Sequence, residues 1–382
     1  MWKTSTVLLW VVLVLLSLGI VMLASTSGIK ALSLYNDSTY FVKRQAAWLA
    51  LAVVCGVFAG FLDYRRWKPW ALPIALMAML MLVLVFVPHV GVKIGGSRRW
   101  LHLGPLSIQS SEIAKFALIL ALSWWMSKEQ RRVSQFKRGA LIPALIMGGM
   151  VGLILCEPDF GTTMLCAVVG LSIMFVGGTR VPHLLACAVP CLAGFVVLVL
   201  HNRVRMLRIV AFMDPDKYAQ SYAFQLVSSI NSFISGGLTG AGLGESLQKH
   251  FYLPEAHTDF IFAIIGEELG MAASLLVVAL FAGIFLCGLI ISFKATDMFG
   301  RLMAFGITLM ICLQAVINIG VVTGCMPTKG LPLPFISFGG SSLVMTLLGI
   351  GVLFNIASQV KTKRAHPPAQ IHPDPSRHFQ DF

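Results

Sequence analysis

Residues 254–268 read Pro-Glu-Ala-His-Thr-Asp-Phe and then Ile-Phe-Ala-Ile-Ile-Gly-Glu-Glu, setting Glu255, His257, Asp259, Glu267 and Glu268 at the mouth of an apolar run. Ionisable groups at membrane depth are costly, so a cluster of them marks a functional site. Asp259 stands where a polar loop enters the apolar helix. Partial desolvation there raises a carboxyl's pKa and strengthens it as a general base. The competing reading is an ordinary first-turn carboxylate at a helix N-terminus, and spacing weighs the two evenly. At about 100° per residue, Glu267 falls within about a quarter turn of the Asp259 face and Glu268 nearly opposite. Glu267 is thus free to approach the same cavity, while Glu268 reads as a structural partner for another helix.

Cations recur elsewhere. Lys115 follows Glu112 by three residues, a spacing that fits either a local ion pair or a lysine in the outer half of its helix facing a phosphate. Arg99 beside Trp100 pairs a cation with an aromatic platform, a common interfacial anchor. Lys329 lies in Pro-Thr-Lys-Gly-Leu-Pro-Leu-Pro, ahead of Ser337-Phe338-Gly339-Gly340-Ser341-Ser342. Glycines and serines that open a helix offer N–H groups to an anion. His257 fits a hydrogen bond within its loop better than proton transfer.

The elements that must position these groups are membrane helices. Of 382 residues, 57% are hydrophobic and 12% charged, against about 25% charged in soluble domains. A span needs about 20 apolar residues, and ten such runs are found at about 7–26, 46–63, 70–90, 112–127, 139–156, 162–179, 181–200, 264–293, 301–322 and 339–358. The first is read as a spanning helix, since it lacks a small-residue cleavage site. The eighth is long enough to tilt or to begin as a short helix outside the membrane. The chain is expected to be an all-α polytopic membrane protein, with residues 1–360 as one transmembrane domain and 361–382 as a disordered tail rich in Pro, His and charge.

Arg65, Arg66 and Lys68, then Lys128, Arg131, Arg132, Lys137 and Arg138, then Arg180, Lys294, Arg301, Lys361, Lys363 and Arg364 fall in the even-numbered loops and the tail. These loops and both termini are therefore expected in the cytoplasm. The formal net charge of +13 then reflects topology and lipid contact, not nucleic acid. The large loop between the seventh and eighth helices, about 201–263, is placed outside and is too long for a mere connector. It carries Arg203, Arg205 and Arg208. With Arg98, Arg99 and Lys329 on the same side, positive charge stands outside against the topological rule, and an anionic ligand at the outer surface accounts for it. The eight cysteines include no C-x-x-C pair and no zinc-ligand spacing.

Taken in order, Gly96-Ser97-Arg98-Arg99-Trp100, Ile108 through Lys115, Glu157-Pro158-Asp159-Phe160-Gly161-Thr162, Tyr252 through Gly270 and Lys329 through Ser342 resemble the SEDS family (shape, elongation, division and sporulation). These are membrane glycosyltransferases that polymerise peptidoglycan from lipid II. Glu157-Pro158-Asp159, Pro254-Glu255-Ala256-His257 and Pro327-Thr328-Lys329-Gly330 resemble the cell-division branch more than the elongation branch. Ser110 in place of a usual proline, Phe338 in place of a usual tyrosine and Glu245 in place of a usual asparagine are departures that leave the charged positions intact.

The resemblance implies that Asp259 is the essential catalytic aspartate and that Arg99, Lys115, Glu255, His257 and Lys329 handle substrate. It implies lipid II and an undecaprenyl-pyrophosphate-linked glycan as substrates at the outer face of the cytoplasmic membrane. A class B penicillin-binding protein (transpeptidase) and other divisome proteins are the implied partners. No cofactor is required by the pattern, though a divalent cation, Mg or Mn, is a candidate at the pyrophosphate. A lipid II flippase, an elongation-type polymerase and a non-catalytic scaffold are the rival readings. Transport predicts charges paired near the bilayer midplane, whereas these gather at the outer boundary.

Overall fold

The computed structural model describes residues 2–88, 90–94, 97–103, 106–248 and 255–365. Three apolar helices come first: α1 (Trp2–Tyr35), α2 (Tyr40–Phe61) and α3 (Ala71–Leu84). A small antiparallel sheet follows, β1 (Gly91–Ile94), β2 (Ser97–Leu103) and β3 (Leu106–Gln109), with β2 in the middle. The chain continues with α4 (Ser110–Lys128), α5 (Ile142–Cys156), α6 (Phe160–Val176) and α7 (Val181–Leu200). The long connection holds α8 (Arg203–Met213) and α9 (Phe224–Gly236), and the last three helices are α10 (Ile261–Lys294), α11 (Met298–Val322) and α12 (Gly340–Ala365).

Each of the ten expected segments is helical. Among the described residues, seven helical stretches are long and apolar enough to cross a membrane, and α3 and α6 are shorter apolar helices. Helix α4 is the tenth, made less apolar by Glu112 and Lys115. It sits at the centre of the bundle against α3, α5, α6 and α11. Small residues such as Ala114, Ala117 and Ala121, all buried, let its neighbours approach closely. Helix α12 runs along α2, where Gly56 and Gly351 meet so closely that a Cβ on Gly56 would lie 2.8 Å from the Leu347 carbonyl. Helix α12 also continues five residues into the expected tail, through Ala365. The remainder of that tail, 366–382, lies outside the described residues.

Helix α10 is broken at Gly270 (φ 79°, ψ −176°), so its first leg, Ile261–Leu269, is a short helix of its own. The backbone groups freed by the break would be unsatisfied in an apolar setting. The glycine-rich run after α9 supplies their partners. Ala241 N–H donates to the Glu267 carbonyl at 2.9 Å, Gly242 N–H to that of Glu268 at 3.0 Å, and Met271 N–H to that of Gly237 at 3.0 Å. No side chain fits here: a Cβ on Gly270 would lie 2.5 Å from Gly240 N and from Leu238 O.

The same packing places both glutamates. Glu267 turns away from Asp259 and accepts from Ser246 Oγ at 2.6 Å and Leu247 N–H at 2.9 Å, anchoring the loop. Glu268 accepts from Ser25 Oγ on α1 at 2.7 Å, the structural role expected of it.

Candidate active site

At one end of the bundle, strand β2 and the loops after α5, α9 and α11 enclose a cavity of about 870 Å³ with Asp259 on its wall. Asp259 lies two residues before the first leg of α10 and is held through its backbone. Asn318 Nδ2 donates to the Asp259 carbonyl at 2.7 Å and to the Leu331 carbonyl at 2.6 Å, so one amide of α11 ties the aspartate to the lysine-bearing loop. Ser337 Oγ donates to the Thr258 carbonyl, and Phe338 N–H to the His257 carbonyl at 3.1 Å. Gly330 packs on the carboxylate itself, where a Cβ would come to 2.5 Å from Oδ2. Burial pushes the Asp259 carboxyl up to about 7, with Glu255 and Asp159 adding to the rise and Arg99 opposing it.

The cations come from separate elements. Arg99 on β2 donates to the Glu157 carbonyl at 3.1 Å and the Pro158 carbonyl at 2.7 Å, and pairs with Asp159 at 3.6 Å. Asp159 in turn caps α6, accepting from Thr162 N–H at 3.2 Å and Thr162 Oγ1 at 3.0 Å. Lys329 lies 5.7 Å from the centre of the Phe195 ring on α7, and burial lowers its pKa from the ordinary lysine value. Arg205 on α8 stacks 3.3 Å above the Phe160 ring, and Arg208 lines the same wall. Four cations thus face Asp259, Asp159, Glu255 and Glu112 around one space.

Of the residues singled out by sequence, Asp259, Arg99, Glu255 and Lys329 line the cavity. Glu255 sits at its rim with φ 58°, a strained left-handed conformation for glutamate, and lies 3.6 Å from Lys30. The other two residues do not line it. Lys115 is buried away from the main cavity, 2.8 Å from Glu112 and 2.8 Å from Gln314 Oε1. The local ion pair foreseen from the spacing is present, and α11 delivers Gln314 as a second partner. His257 is buried between Phe41 and Phe338, with ring centroids 5.0 and 6.1 Å away, rather than lining the cavity. Burial there lowers its pKa to about 4, so it is neutral.

Sequence reasoning gave Asp159 no role of its own and grouped Arg205 and Arg208 with the outer positive charge without placing either at the site. Positive charge in the long outer loop was the available signal for the two arginines. Among the described residues, no group of three or more His, Cys, Asp or Glu converges as a metal cage.

The family model for cell cycle proteins of the FtsW, RodA and SpoVE type matches residues 6–362. A probable peptidoglycan glycosyltransferase FtsW from Trichlorobacter lovleyi is 39% identical, with 93% of each chain covered. The stage V sporulation protein E of Bacillus subtilis is 40% identical over 93% of this chain and 98% of its own. Among solved structures, a chain from work on the coordination of polymerization and crosslinking by a peptidoglycan synthase complex superposes with a TM-score of 0.75. It is 28% identical over 92% of this chain and 97% of its own. The rod shape determining protein RodA of Thermus thermophilus gives 0.68 at 29% identity, covering 94% of this chain and 97% of its own.

Proposed function

This chain belongs to the FtsW, RodA and SpoVE family of cell cycle proteins, and on that premise we propose that it is a membrane peptidoglycan glycosyltransferase that polymerises lipid II, with Asp259 as general base. The observation that carries the assignment is one carboxyl, raised to about 7, on the wall of a cavity ringed by Arg99, Lys329, Arg205 and Arg208. A base poised near the working pH balances the fraction ionised against proton affinity.

In the proposed step, the Asp259 carboxylate takes the proton of the acceptor sugar 4-hydroxyl. The resulting oxygen attacks C1 of the lipid-linked donor with inversion, and the bond from C1 to the pyrophosphate oxygen breaks. Undecaprenyl pyrophosphate leaves with the electron pair, and Asp259 later loses its proton to water. Charge develops on the departing pyrophosphate, where cations in a low-dielectric cavity contribute most. The leaving group is stable as an anion, so no second carboxyl need act as general acid, unlike a two-carboxylate glycosidase.

The positive-inside pattern supports placing this cavity at the outer face. Arg65, Arg66, Lys68, Arg131 and Arg132 belong to the loops at the opposite end of their helices. A class B transpeptidase as partner is consistent with the synthase complex that this fold resembles, and septal synthesis with the division-type relatives.

The test is polymerisation of lipid II by the purified chain with its cognate transpeptidase, with and without a divalent cation. Asp259→Asn should lose glycan synthesis while still folding and binding the partner. Full synthesis by that variant would overturn the assignment.

A further inference from the structure

One carboxyl beside the cavity has no part in this chemistry. Glu157 ends α5 and is wholly buried. Its Oε1 lies 2.9 Å from Ser110 Oγ at the start of α4, and its Oε2 is buried with no hydrogen-bond partner. Ser110 Oγ also lies 3.4 Å from the carbonyl oxygen of Arg99. A serine hydroxyl has one proton, and a carbonyl can only accept. Ser110 can satisfy the Arg99 carbonyl and keep its closer contact with Glu157 if Glu157 donates to it, an arrangement that puts a proton on Glu157.

The orphaned Oε2 argues the same way. On a carboxylate it would be an uncompensated buried charge, whereas on a neutral acid it is a carbonyl oxygen that loses far less on leaving water. The guanidinium that could neutralise Glu157 is committed elsewhere. Arg99 donates to the backbone carbonyls of Glu157 and Pro158 and pairs with the Asp159 carboxylate.

We propose that Glu157 works as a neutral carboxylic acid, a positioning residue whose proton, handed through Ser110, clamps the Arg99 strand to the turn between α5 and α6. Ionisation breaks the relay and draws Arg99 from Asp159 and the cavity. The consequence for catalysis rests on the polymerase reading above; the protonation state does not.

The charged groups around Glu157 are Arg99 on β2 and Asp159 on its own turn. On α4, Glu112 is paired with Lys115, and Lys329 faces Asp159 from the loop after α11. Burial is the main influence and pushes the Glu157 carboxyl up to about 8. A Ser110 hydroxyl turned to donate to Glu157 would oppose the rise, as Arg99 does, and Asp159 adds to it.

Two measurements on the full chain test this. In infrared titration of the membrane-reconstituted protein, Glu157→Gln should remove one protonated-carboxyl band present at neutral pH. In the wild type that band should disappear only on the alkaline side, and Ser110→Ala, which leaves the acid in place, should shift its frequency. A carboxyl band that Glu157→Gln leaves untouched, or one gone already in the ordinary carboxylate range, overturns the proposal.

In lipid II polymerisation, Glu157→Gln should keep the neutral-pH rate within about twofold and lose the fall in rate expected of the wild type above about pH 8. An unchanged alkaline fall in that variant assigns it to Lys329 and overturns the positioning role. Absence of any wild-type polymerisation would speak against the proposed function. The infrared result would still decide the state of Glu157.

Discussion

Asp259 is surrounded by groups that disagree about its charge. Burial, Glu255 and Asp159 favour the neutral acid, while Arg99 favours the carboxylate. Since the carboxylate is the proposed base, the rate of polymerisation should rise with pH through about 7, read from a pH–rate profile of the purified enzyme. Asp259→Asn should lower the rate about a hundredfold to ten-thousandfold. The same variant should melt higher above neutral pH. A carboxyl raised in the folded state favours folding below the ordinary carboxylate range and loses that contribution as pH climbs to its raised value. Thermal melts on both sides of neutrality check the sign. Asp259 was legible in sequence because a polar loop meets an apolar run there. Arg205 and Arg208 were not, because the fold alone brings α8 over Phe160 and Phe195. Lys115 was half legible. Its spacing from Glu112 foretold the ion pair, but the position of Gln314 on α11 is tertiary information.

At the scale of elements, the helices were readable from apolar length, since a membrane leaves a helix as the simplest way to satisfy its own backbone. The sheet β1–β3 was not. Its strands are short and interleaved with charge, and their pairing depends on register rather than composition. The break in α10 lay between these cases. Its excess length suggested a separate first leg, yet a glycine within a helical run does not by itself specify a break. Gly270 is where the backbone demands it, with φ 79° and loop backbone filling the space a side chain would need. Gly270→Ala should therefore destabilise the fold by at least about 1–3 kcal/mol, measured by thermal or denaturant unfolding in detergent. Activity should fall as well, because the leg that begins just after Asp259 is held by the three hydrogen bonds at this break. Normal stability in that variant would mean that α10 can close into a continuous helix.

The molecule as a whole separates its charges by end. One end carries Lys68 against Asp297, Arg65 donating to the neighbouring Thr296 hydroxyl, and Arg138 against Glu129, together with Arg131, Arg132, Lys294 and Arg301. The other end carries the cavity, with Asp259, Arg99 and Lys329. Basic residues retained on the cytoplasmic side set orientation, so the cavity should open to the outside, where a lipid-linked donor and a growing glycan can both reach it. Cys325, exposed in the turn after α11 on the cavity side, is a native reporter of that orientation. A membrane-impermeant maleimide reaching the outer face of the cytoplasmic membrane in intact spheroplasts should label it, and Cys325→Ser, made together with Cys156→Ser because Cys156 is exposed at the same end, should remove the signal. In that background, a cysteine replacing Arg131 should label only after the membrane is permeabilised. The reverse pattern would place Asp259 on the cytoplasmic side, where polymerisation of an externally presented donor is impossible. The cations of the cavity would then need another anion to explain them, since at that face they would merely follow the topological rule.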